Sequence, residues 1–215
     1  LEELAEDRFE EDGAGGRTAG TEEDAGPDRR LALAAGSAVH RVLEELDLSA
    51  TGLAAELARH RARLPELLRP LLPEDDLAPA VELCEELLDR LGPSGAGREL
   101  LERLGDLGDR VVARELPVLL PPGAVDGASP DGPVGFVSGA VDLLYREPET
   151  GLLVVADYKT DRVETAHEIA ERVRVYSPQA RLYAAAVRDA LGLDDPPRAE
   201  LWFLWPGRVE VVGAP

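Results

Sequence analysis

A chain of 215 residues with 44% hydrophobic side chains is long enough for one domain with a real core. Its net charge of −20, from 43 acidic against 23 basic side chains, excludes a generally basic nucleic-acid-coating surface. A single cysteine, Cys84, excludes an internal disulfide and any iron-sulfur or zinc site built from several thiolates of this chain.

Methionine is absent and the chain opens at Leu1, so a segment of a longer polypeptide is expected. The opening LEELAEDRFEED is acidic where a secretory signal has a positive region and then an apolar run. The longest nearly apolar stretch, LALAAGSAV, is far too short to span a bilayer, so the expected setting is soluble and cytoplasmic. Residues 1–30 hold 11 acidic and 4 basic side chains, a net of −7 that leaves −13 for the rest. With almost no large apolar side chains they are expected to form an acidic disordered linker ahead of a folded domain at 31–215.

Order is expected from about Leu31. Ser37 is the predicted N-cap of a helix whose buried face carries Val39, Val42, Leu43 and Leu46. Residues 52–110 are rich in Leu, Ala, Glu and Arg at a helical period, and LLPEDD and LGPSGAG divide them into two to four helices. Cys84 falls in VELCEELL at helical spacing, the setting of a buried structural thiol.

Past residue 110 the pattern changes. VVARELPVLL, GFVSGAVDLLY and LLVVADYK are short, rich in Val and Leu and separated by Pro/Gly/Asp loops, the marks of strands. SPQARLYAAAVRDALG predicts an amphipathic helix capped by Ser177 with Pro178 at its first position. AELWFLW and RVEVV predict two further strands around the turn PG. The expected fold class is α/β, a central mixed sheet flanked by helices, with a helical region at about 37–110 ahead of an α/β core at about 111–213.

Lys159 is the only lysine beside 22 arginines. In LLVVADYK, side chains alternate, so Asp157 and Lys159 project from one face of a strand whose apolar run predicts a central, doubly covered position, where they either pair with each other structurally, the commoner case for D-x-K, or aim at a ligand. Asp142 interrupts a second apolar strand, joined to the first by the short loop REPETG. A buried carboxylate is costly without a cation, so two converging carboxylates with an amine beside them form a candidate hard-cation site. Phosphodiester hydrolysis uses such a set: carboxylates hold a divalent ion that activates water and screens charge on phosphorus, and the amine orients the water or stabilises the transition state. Arginine, a broad plane that does not readily release a proton, substitutes poorly for a compact ammonium. His40, His60 and His167, each taken alone, read as partly buried structural residues more readily than as ligands.

The series G36-S-A-V-H40, R114-E115-L-P, G139-A-V-D142, D157-Y-K159-T and Q179-A-R-L-Y183 resembles the PD-(D/E)XK nuclease superfamily, specifically the RecB/AddA-type nuclease domain of bacterial helicase-nucleases. The likeness spans residue 36 to about 205, and five motifs in order carry it together. It implies a restriction-endonuclease-like core with a helical insertion after the first helix. It also implies that Asp142 and Asp157 bind metal, that Lys159 is the catalytic lysine, and that His40 and the Tyr158 carbonyl complete the metal shell. Gln179 and Tyr183, four apart on one helix face, would lie beside the active site and the DNA strand. Glu115 matches a family acid whose role, structural or functional, stays open. Val141 stands where many relatives have proline, a harmless departure, and Cys84 alone excludes the iron-sulfur-clamped branch.

The implied activity is Mg²⁺-dependent DNA cleavage of exonuclease type, with Mn²⁺ an alternative because a histidine is among the ligands. The implied substrate is single-stranded DNA, delivered by a helicase domain of the same parent chain or by a partner helicase-nuclease subunit, in recombinational double-strand break repair, with no membrane partner. A catalytically inactive nuclease-fold scaffold or strand guide is the alternative.

Overall fold

The computed structural model describes residues 27–48, 52–120 and 137–213. The predicted linker therefore falls almost wholly outside the described residues. The first helix, α1 (Pro27–Glu45), begins well ahead of the expected cap at Ser37 and ahead of Leu31, where order is expected to begin. Proline suits this first helical position, since its missing N–H has no partner there anyway. Ser37 does not cap this helix. It lies exposed in the middle of α1, because the buried face made by Ala34, Ala35, Ala38, Val39 and Val42 runs straight past it.

The expected helical region resolves into four helices, α2 (Leu53–Arg61), α3 (Leu64–Leu68), α4 (Glu74–Leu91) and α5 (Arg98–Leu107), with two of the breaks at the predicted clusters LLPEDD and LGPSGAG and a third, between α2 and α3, that the sequence does not mark. Cys84 is buried on α4, and its thiol donates to the Ala35 carbonyl of α1 at 3.6 Å. Burial, with Glu85 beside it, pushes that thiol up to about 12, so it remains protonated and inert.

Among the described residues five strands follow: β1 (Val111–Leu120), β2 (Val137–Arg146), β3 (Leu153–Lys159), β4 (Arg198–Phe203) and β5 (Arg208–Val212). They form one sheet in the order β1-β2-β3-β4-β5, antiparallel except for the parallel β3–β4 pair. That parallel pair is joined by the helix α6 (Ala166–Leu191), a βαβ crossover that leaves β3 central, as its continuous apolar run predicts. Tyr145, Val154, Ala156, Tyr158 and Trp202 face the helices α1 to α5 in one core. On the opposite face α6 covers Val141, Val155, Leu201 and Phe203.

Helix α6 corrects a second expected boundary. Ser177 and Pro178 lie inside it, and the cap is Thr165, whose hydroxyl takes the Glu168 amide while the Glu168 carboxylate takes the Thr165 amide. The apolar stripe Ile169, Val173, Tyr176, Ala180, Tyr183 and Val187 keeps its period through the proline. Burying that stripe outweighs the roughly 3 kcal/mol cost of an internal proline. Ser177 turns its hydroxyl back onto the Val173 carbonyl at 2.5 Å.

Candidate functional site

The site lies where α1, β1, β2, β3 and α6 meet. The β1–β2 register sets Glu115 opposite Asp142, between the pairs Arg114↔Leu143 and Leu116↔Val141. The β2–β3 register, continued one step past Leu143↔Ala156, sets Asp142 opposite Asp157. Three carboxylates from three neighbouring strands thus stand in one row. The β2–β3 ladder ends just there, and the Tyr158 amide donates instead to Asp142 Oδ2 at 2.5 Å.

Helix α1 approaches this row because of Gly36. A Cβ there would lie 3.1 Å from Thr160 Oγ1, so a hydrogen lets the helix close on the end of β3. One turn later His40 Nδ1 reaches Asp142 Oδ1 at 3.1 Å, and its ring meets Tyr158 edge-on at 5.8 Å between centroids. Arg114 anchors β1 to the same helix, donating to the carbonyls of Glu44 in its last turn and Leu46 just beyond it. Potential ligand atoms of His40, Glu115 and Asp142 all lie within 4.8 Å of one another.

Asp157 lies outside that triad. Its Oδ2 is paired with Lys159 Nζ at 2.7 Å, as i, i+2 neighbours on one strand face allow. Lys159 also donates to Gln179 Oε1 at 3.3 Å, and Gln179 Nε2 donates to the Tyr183 hydroxyl at 3.1 Å. The five residues Asp142, Asp157, Lys159, Gln179 and Tyr183 therefore occupy one continuous neighbourhood. The backbone of Tyr158 sits between its two halves. Tyr183 rests on β2 because residue 139 is glycine; a Cβ there would stand 2.6 Å from the phenol oxygen.

Two residues gain a place that the sequence left open or passed over. Glu115 belongs to the triad, and its backbone has φ 45°, the left-handed region that a non-glycine residue enters at a cost of about 1–3 kcal/mol. Tyr176, unremarked in the sequence, lays its ring 4.1 Å from Lys159 Nζ and donates its hydroxyl to Asp161 at 2.9 Å. Its spacing, three residues before Gln179 on the same helix face, was the available signal. His60 and His167 lie elsewhere, against Glu56 and Glu45 and against Glu171 respectively.

The electrostatics favour a cation. Asp142, Asp157 and Lys159 are each less than a tenth exposed. Three carboxylates against one ammonium leave a net of −2 when His40 is neutral, the charge that one divalent ion cancels. Burial, and then the Asp142 charge, raise Glu115 to about 7. Burial alone would also raise Asp142, but His40, the Tyr158 amide and Lys159 outweigh it and hold that carboxyl below its ordinary value. Buried oxygen donors with one imidazole suit a hard or borderline divalent ion. Tyr183 is pushed up to about 12 by burial and by Asp157, so its phenol keeps its proton.

No curated protein matches the chain. The family model described as PD-(D/E)XK nuclease superfamily matches residues 13–213. That match, with the mixed five-stranded sheet and its flanking helices, makes the fold restriction-endonuclease-like, and the chain belongs to the PD-(D/E)XK nuclease superfamily.

Proposed function

We propose that this chain is the divalent-metal-dependent DNA nuclease domain of a RecB/AddA-type helicase-nuclease. It hydrolyses phosphodiester bonds of single-stranded DNA, exonuclease fashion, in recombinational double-strand break repair. The helicase would be a domain of the same parent chain or a partner subunit. The observation that carries the reading is the convergence of a partly buried Glu115 with the buried Asp142 and Asp157 and a single ammonium.

His40, Glu115 and Asp142 would hold the ion, with Asp157 and the Tyr158 carbonyl completing its shell. Bound there, Mg²⁺ or Mn²⁺ supplies the positive charge that screens the phosphate and acidifies a water. Lys159, held by Asp157 and Gln179, offers a compact donor for the attacking water or for the charge that develops on phosphorus. Gln179 and Tyr183 fix the lysine's direction and line the path of the strand. The RecB/AddA assignment draws support from the ordered motifs GSAVH, DYKT and QARLY, whose residues the fold gathers into one neighbourhood.

Incubating the protein with end-labelled single-stranded DNA and Mg²⁺ or Mn²⁺, with chelator as control, tests this reading. Cleavage is expected to fall at least about 10²-fold in Asp157→Ala and in Lys159→Ala. Wild type and variants that behave alike would leave the inactive scaffold. Against that alternative, Asp142, Asp157 and Lys159 are all present and in contact with partners.

A further inference from the structure

A cleft of about 560 Å³ opens beside the carboxylate row, between α1, α4 and residues 160–162 after β3. His40 and Lys159 line it on the side of the row. Arg29, Arg162 and Arg172 line it as well, with Asp161 the one carboxylate among the described residues that line it. Lys159, Arg162 and Arg172 have acidic partners in Asp157, Glu86 and Asp161, and the cleft gathers these cationic side chains together in a chain of −20. A polyanion repelled by the rest of the surface meets its opposite sign here, next to the candidate metal ligands.

The arginines are arranged for exchange. Arg162 is tied to Glu86, but both side chains are about half exposed, so the tie contributes under about 1 kcal/mol and yields readily to a phosphate. Its guanidinium lies 4.7 Å over the Trp205 ring, a support that remains when Glu86 lets go. Arg172 is oriented by Asp161 at 3.2 Å, and Asp161 is itself fixed by the Tyr176 hydroxyl. Leu83 and Leu87 supply an apolar wall from α4. The volume falls in the range of about 300–1,000 Å³ typical of small-molecule sites, which suits a nucleotide unit and not a double helix.

We infer that this cleft binds the nucleotide next to the scissile phosphodiester of a single strand, its phosphates on Arg29, Arg162 and Arg172 and its base against Leu83 and Leu87. The inference rests on the nuclease reading and adds the residues that grip the substrate.

The test is the salt dependence of binding. Anisotropy of a labelled single-stranded decanucleotide, measured in Ca²⁺ between about 50 and 200 mM salt, should give a log–log slope near −2, about −0.7 for each of three phosphates. Arg29→Ala and Arg162→Ala are each expected to make that slope shallower by about 0.7 and to weaken low-salt binding several-fold. Both side chains are exposed, so Tm should hold, and Arg98→Ala on α5, outside the cleft, is the control. Unchanged slope and affinity in the double variant would overturn the inference, as would a blunt duplex that binds with the same arginine dependence. Cleavage assayed in parallel separates the two claims. A wild type that cleaves while the double variant binds normally sinks only the cleft, whereas arginine-dependent binding without cleavage sinks only the nuclease.

Discussion

Glu115 concentrates the energetics of the site in one residue. It combines a left-handed backbone, partial burial and a carboxyl raised to about 7, first by burial and then by Asp142. A carboxyl raised in the folded state binds protons more tightly there than in the unfolded chain. Its stabilising contribution is therefore complete below its ordinary 4.5 and is lost as pH rises through about 7. Asp142, held below its ordinary 3.8, does not titrate in that window. Urea unfolding in chelator should thus lose on the order of 1–2 kcal/mol between pH 5 and 7.5, and Glu115→Gln should flatten the change. The sign reverses once metal is present, because the deprotonated carboxylate is the ligand. Mn²⁺ at about a hundred times its Kd should add about 2.7 kcal/mol at pH 7.5, a thermal shift that chelator removes and that Glu115→Gln reduces. The sequence left Glu115 undecided because its place depends on an irregular backbone angle and a neighbouring strand. Lys159, by contrast, was visible as the one lysine in an arginine-rich chain.

At the level of elements, glycines explain motifs that residue chemistry does not. Gly139 shares its motif with Asp142, and its role is to admit the Tyr183 ring against β2. Gly139→Ala would push a Cβ to 2.6 Å from the phenol oxygen, so a loss of about 1–3 kcal/mol and weaker cleavage are expected. Tyr183→Phe removes the closest atom, and a double-mutant cycle should show the two changes to be non-additive. The capping box of α6 is a second test: Thr165→Ala should lower stability by about 1 kcal/mol in thermal unfolding while leaving the metal triad intact. Pro178 misleads a local reading, because proline after serine looks like a helix start. The stripe from Ile169 to Val187 decides otherwise, and only packing against the sheet gives that stripe its weight.

For the whole molecule, net charge and function pull in opposite directions. A chain of −20 repels both itself and a nucleic acid, so on the proposed reading the cationic cleft, and a divalent ion held by the carboxylate row, would recruit the substrate locally. Self-repulsion fades as the Debye length contracts from about 30 Å at 0.01 M to about 8 Å at 0.15 M salt. Tm should rise over that range by roughly 2–4 °C, corresponding to about 1 kcal/mol, with DNA affinity falling over the same interval. Among the described residues no helix is long and apolar enough to cross a membrane.

Periodicity and residue chemistry alone determined the five strands, a helical region of two to four helices and the candidate residues Asp142, Asp157 and Lys159, while His40 emerged from the GSAVH motif of the family resemblance. Each of these reads from a few neighbours in the chain. Tertiary structure decided that Glu115 joins His40 and Asp142 while Asp157 pairs with Lys159, that Tyr176 flanks the lysine, and that Arg29 and Arg162 share a cleft. Those contacts join residues from separate elements, or turn on an irregular backbone angle, and burial on the assembled sheet sets which partner each charge takes.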